Sequence, residues 1–141
     1  MKRYLNFALG YAIAAMAGGV FYREFTKLND FTGVTMLGKV HAHLFLLGTA
    51  VYLIIALFDR ECVLNEVKTF KIFTVVYNIG LILMIVMMII RGIVEVLGTE
   101  ISRGQNSAIS GMAGLAHILL GIGIILLLFS FRKLSKPKHI D

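Results

Sequence analysis

An all-α integral membrane protein, a four-helix bundle with both termini in the cytoplasm, is predicted by three features of this 141-residue sequence. Hydrophobic residues make up 58% and charged residues only 16%, and the mean hydropathy of +0.85 lies well above that of water-soluble domains. Charged residues fence off four apolar stretches close to the ~20 residues that a helix needs to cross the hydrocarbon core. The basic residues divide unevenly between the two sets of loops, and the richer side marks the cytoplasm.

The four stretches are Tyr4 to Tyr22, Val40 to Phe58, Ile72 to Ile90 and Gly104 to Phe131. With flanking turns they give expected helices over 3–24, 34–58, 68–98 and 106–131, one transmembrane domain occupying nearly the whole chain. The start, Met1-Lys2-Arg3 followed by an apolar run to Ala15-Met16-Ala17, also has the form of a secretory signal. Because the run continues through Phe21, a membrane-spanning first helix is the preferred reading. The segment Phe25 to Gly33, which mixes aromatic and charged residues, reads as an interfacial loop, and Gly104-Gln105-Asn106-Ser107 as the break that caps the fourth helix.

A net charge of +6 raises the possibility of nucleic acid, but the basic residues form no single patch. Lys2, Arg3, Arg60, Lys68, Lys71, Arg132, Lys133, Lys136 and Lys138 fall on one side of the membrane. Arg23, Lys27, Lys39, Arg91 and Arg103 fall on the other. The partner implied is the lipid bilayer, not a nucleic acid. The single Cys62 can form no intramolecular disulfide, and nothing resembles a hydrolase triad, a phosphate loop or a cysteine-rich metal motif.

Three histidines, His41, His43 and His117, lie within the spans, while His139 falls in the tail. A polar side chain in lipid is costly without a partner, so each is a candidate functional residue. Counted from Phe58 and Phe131 at ~1.5 Å per residue, His43 and His117 lie ~21 to 23 Å up and His41 ~25 Å. All three occupy one layer. At ~100° per residue His41 and His43 point ~160° apart, so one regular helix cannot aim both at one ion. His43 shares its face with Met36, Lys39, Ala50 and Ile54, and His117 with Ser110, Ala113, Gly114 and Gly121.

Imidazoles from two helices at one depth, beside small residues, suit bis-histidine ligation of haem b, with His117 and either His41 or His43 as ligands. A copper or zinc ion on these histidines, or hydrogen bonds between helices with no cofactor, are the alternatives. Arg91 and Arg23 stand near the outer ends of their spans, where a guanidinium could take the propionates. Paired with Glu95 and Glu24, they could equally be interfacial ion pairs. Met84, Met87 and Met88 invite a copper(I) reading through soft thioether donors, although apolar filling is the commoner role of methionine.

The segments Gly19-Val20-Phe21-Tyr22-Arg23-Glu24-Phe25-Thr26-Lys27, His41-Ala42-His43, Tyr77-Asn78-Ile79-Gly80-Leu81, Arg91-Gly92-Ile93 and Ile109 through His117 resemble a bacterial four-helix membrane family, domain of unknown function 2871. That likeness spans nearly the whole chain. It implies a multi-pass protein of the bacterial cytoplasmic (inner) membrane and no particular activity. The pattern of a His-x-His on one helix and a lone histidine on another is similar to the central subunit of the haem–copper oxidases. In those enzymes the two histidines of the pair serve two haems, and three pseudo-symmetric arcs of four helices make up the subunit. The likeness implies a homo-oligomer, with a homotrimer as its simplest form, and a redox partner for electron transfer. This chain has no adjacent His-His pair for the oxidases' copper centre, which argues against oxygen or nitric oxide reduction. Haem handling, small-ligand sensing and a structural role in a membrane complex are the other functions expected. A drug-exporter reading is disfavoured because no carboxylate lies within Tyr4 to Tyr22.

The charge asymmetry yields a direct topology test. A fluorescent protein fused after Asp141 is expected to fluoresce in the cytoplasm, and alkaline phosphatase fused after Thr32 to be active. The opposite pattern would reverse the orientation.

Overall fold

The structure, a computed structural model, describes residues 1–60 and 64–134; Cys62, Pro137 and His139 lie outside them. Four helices, each long and apolar enough to cross a membrane, account for most of the described residues. They are α1 (Lys2–Leu28), α2 (Leu37–Phe58), α3 (Lys68–Leu97) and α4 (Arg103–Leu134). A single 3-10 turn, Leu64–Glu66, precedes α3, and no strand occurs among the described residues.

Local chemistry sets the helix ends. Into the stretch expected as a loop, α1 runs on to Leu28, where the Thr26 hydroxyl donates to the Tyr22 carbonyl and the Asn29 amide to that of Phe25. The N-terminus of α2 starts at Leu37, whose N–H donates to Thr35 Oγ1, while the Thr35 hydroxyl donates to the Gly92 carbonyl. At the start of α4, Ser102 and Gln105 form a reciprocal capping box: each backbone N–H donates to the other's side-chain oxygen. The helix therefore begins at Arg103, ahead of the break expected at Gly104 to Ser107. Gly98 ends α3 in the left-handed region at φ 60°, which glycine adopts without strain.

Among the described residues, sustained packing joins successive helices, α1 to α2, α2 to α3 and α3 to α4. The bundle is thus an open one. Close approach is bought with glycine, as is usual where lipid supplies no hydrophobic drive between helices. A Cβ on Gly80 would fall 3.0 Å from the Leu120 backbone nitrogen, and one on Gly92 would fall 2.6 Å from that of Leu37. These positions draw α4 onto the middle of α3 and the start of α2 onto its C-terminal end. Tyr52, Ile55, Phe70, Phe73, Tyr77, Leu81 and Met84 fill the buried interior.

Near the termini the helices are tied by an ion pair between the Met1 amino group and Asp59. The Tyr4 hydroxyl also donates to Asn65 Oδ1 at 2.7 Å, and the Phe58 and Phe131 rings stack with centroids 4.2 Å apart. In the middle, Tyr11 donates to Asn78, which donates in turn to Tyr52 and the Thr74 carbonyl. Every such bond matters where water is absent.

A stretch of α2, Leu44–Ala50, is wound as a π-helix. Such segments are rare and concentrate at functional sites. Here the Leu47 carbonyl accepts a hydrogen bond from the Tyr77 hydroxyl at 2.8 Å. Gly48 lets Tyr11 of α1 approach so closely that a Cβ would lie within 3 Å of its ring.

Gly92→Ala should strain the α2–α3 contact by ~1–3 kcal/mol and lower the thermal unfolding midpoint in detergent. Gly10→Ala, at an exposed helical position with open space around it, should leave the midpoint unchanged or raise it. Equal effects from the two would contradict the packing described.

Candidate functional site

Two clefts follow from packing each helix only against the next. One, of about 450 Å³, lies between α1 and α3 over α2 and is lined by apolar residues such as Ala14, Val40, Leu44 and Ile85, with Tyr11 at its edge. The other, of about 210 Å³, lies between α2 and α4 over α3. It holds the chemistry. Its walls are Met36 just ahead of α2, Lys39 and His43 from α2, Met84, Met87, Met88 and Arg91 from α3, and Ile109, Ala113 and His117 from α4.

Helix geometry sets both histidines the same way. The Nδ1 of His43 lies 2.8 Å from the Lys39 carbonyl, and that of His117 lies 2.7 Å from the Ala113 carbonyl, each four residues back. A carbonyl oxygen only accepts, so Nδ1 must carry the proton in each ring. In the neutral ring this leaves the Nε2 lone pair free, with no recorded hydrogen-bond partner among the described residues, the arrangement that a backbone carbonyl imposes on histidines that bind metals.

His41 does not join them. Its ring faces α1, where a Cβ on Gly19 would lie 3.7 Å from the His41 Cβ. Its Nδ1 is buried without a hydrogen-bond partner among the described residues.

The two arginines also part company. Arg91 lines the cavity, with Nη1 donating to Asn106 Oδ1 at 3.0 Å and Nη2 to Ser110 Oγ at 2.8 Å. It makes no ion pair with Glu95 among the described residues, because the Glu95 carboxylate accepts the Met36 backbone N–H at 2.7 Å, at the start of α2. Arg23 lies on α1, away from the cavity, with its side chain 79% exposed and 3.6 Å from Glu24. The cation that accompanies Arg91 at the cavity is Lys39.

Lys39 lines the cavity although sequence reasoning gave it no binding role, and Met84, Met87 and Met88 line it although copper(I) ligation was only the lesser alternative to apolar filling. For Lys39 the signal was present, since it precedes His43 by one helical turn on the same face. For the methionines it was absent: their side chains face the histidines only through the way α3 sits beneath α2 and α4. Met84 and Met88 are buried, and Met87 is half-buried.

Among the described residues, no three His, Cys, Asp or Glu side chains gather closely enough to hold a metal ion. The donor set at the cavity is two imidazoles with thioethers nearby, beneath two cations.

No curated protein and no solved structure matches the chain, and the likeness to the haem–copper oxidases stays one of motif. Residues 1–134 match the family described as protein of unknown function (DUF2871). The chain, a multi-pass membrane protein by its four spans, belongs to that family.

Proposed function

We propose that this protein is a membrane haem b protein in which His43 and His117 are the axial ligands and Arg91 lies beside the propionates. The observation that carries the reading is that two imidazoles on different helices, each with Nε2 left free by an Nδ1–H bond to a carbonyl, line one cavity.

The residues present suit the group. Haem b asks for two imidazole nitrogens, an apolar bed for the ring and positive charge for its carboxylates. Met84, Met87, Met88, Ile109 and Ala113 supply the bed, and Arg91 with Lys39 the charge. When bound, haem supplies a one-electron iron couple. Were both His43 and His117 to hold the group, no position would remain for a substrate, which would suit electron transfer with a redox partner better than substrate chemistry. Haem handling and small-ligand sensing are the other roles compatible with the site.

At about 210 Å³ the cavity is smaller than the ~300–1,000 Å³ usual for sites that enclose a small molecule. A planar ring would be held in part and would project between α2 and α4. A second copy covering that edge is consistent with the open arrangement of helices and with the homotrimer suggested by the oxidase likeness. His41, whose ring faces α1, takes no part in that contact. The bacterial cytoplasmic membrane is the proposed location.

A second reading is favoured by the methionines alone: copper(I) bound by His43, His117 and one or more thioethers. Among the described residues no three His, Cys, Asp or Glu side chains gather for zinc. Two cations at the cavity oppose any bare metal ion and favour a ligand bearing negative charge.

Purified protein is expected to show a Soret band that is lost or shifted in both His43→Ala and His117→Ala and is retained in His41→Ala. Loss in His41→Ala with retention in His43→Ala would overturn the ligand assignment. Copper without porphyrin absorbance would favour the second reading.

A further inference from the structure

Resting on the haem reading, we infer that the site selects a ligand with two carboxylates on one edge, and that Lys39, together with Arg91, is the residue that sets this selectivity.

Four residues before His43 on the same face of α2, Lys39 lies one turn, ~6 Å, further from the chain termini. Arg91 on α3 lines the same cavity. Both of its recorded side-chain partners, Asn106 Oδ1 and Ser110 Oγ, are neutral. They fix the plane of the guanidinium without compensating its charge, and three of its five N–H donors remain available.

The Lys39 ammonium has no ion-pair or hydrogen-bond partner among the described residues. Glu95, the acidic residue nearest in sequence to Arg91 on α3, is engaged by the Met36 N–H. Two cations without an ion-pair partner among the described residues therefore line a cavity otherwise lined by methionine, isoleucine, alanine and two imidazoles. Two like charges side by side at the edge of the membrane favour an anion between them. One carboxylate would leave a cation unanswered; a pair on one edge answers both and orients the ring, with its apolar edge against Met84 and Met88. Snorkelling of Lys39 to the membrane surface explains its length but creates no preference among ligands.

The test uses the full chain, purified in detergent without cofactor and titrated by absorbance with haem b and with its dimethyl ester. The wild type should bind the diacid at least ~10-fold more tightly, the ratio that one charge-assisted hydrogen bond supplies. Lys39→Met should reduce that ratio without changing the spectrum of the bound form, and Lys39→Arg should restore it. Equal binding of the two porphyrins by the wild type, or an unchanged ratio in Lys39→Met, would overturn the inference while leaving the haem reading intact. Failure of the wild type to bind either porphyrin would overturn the haem reading, and this inference with it.

Discussion

Two backbone carbonyls, those of Lys39 and Ala113, determine what His43 and His117 can do. Each accepts the Nδ1 proton of an imidazole four residues on, so each ring is held in one tautomer with its second nitrogen left as a lone pair. An imidazole that used both nitrogens for hydrogen bonds between helices would be structural glue. These two are satisfied on one side by their own helices and have no recorded partner at Nε2 among the described residues. That asymmetry is what supports the reading of the cavity between α2 and α4 as a binding site.

The fold supplies the space by withholding a contact. Because α2 and α4 both pack on α3 and share little packing with each other, they meet near the termini through Phe58 and Phe131 and leave room at the level of the histidines. Gly92 lets the start of α2 press onto α3, and the Glu95 carboxylate and Thr35 hydroxyl fix that end. The π-helical segment begins immediately after His43. Below the histidine turn the helix therefore changes winding while Tyr77 satisfies the Leu47 carbonyl, so His43 sits at a junction that is braced on both sides.

Some of this arrangement was legible in the sequence and some was not, for identifiable reasons. Counting residues from the charged span ends placed His43 and His117 at one depth, since helical rise is nearly constant. The ~100° step separated His41 from His43, and the structure indeed turns His41 toward Gly19 while His43 lines the cavity. Relations between helices were not legible. Arg23 was expected beside Arg91 because both lie near span ends, but α1 packs against α2 on the side away from the cavity. Glu95 stands four residues from Arg91, a spacing that suggests an ion pair, yet the unsatisfied Met36 N–H at the start of α2 competes for its carboxylate. The methionines of α3 read as filling because thioethers pack like hydrocarbon; only the crossing of three helices brings them beneath the histidines. The π-helix left no proline or other marker to predict it.

The central claim, that two free imidazole nitrogens share one iron-porphyrin ligand, is tested most directly by iron K-edge X-ray absorption of the protein as isolated. The account predicts iron surrounded by nitrogen alone, with the scattering signature of two imidazoles beyond the porphyrin. A sample without iron, or with sulfur in the first coordination shell, would contradict it.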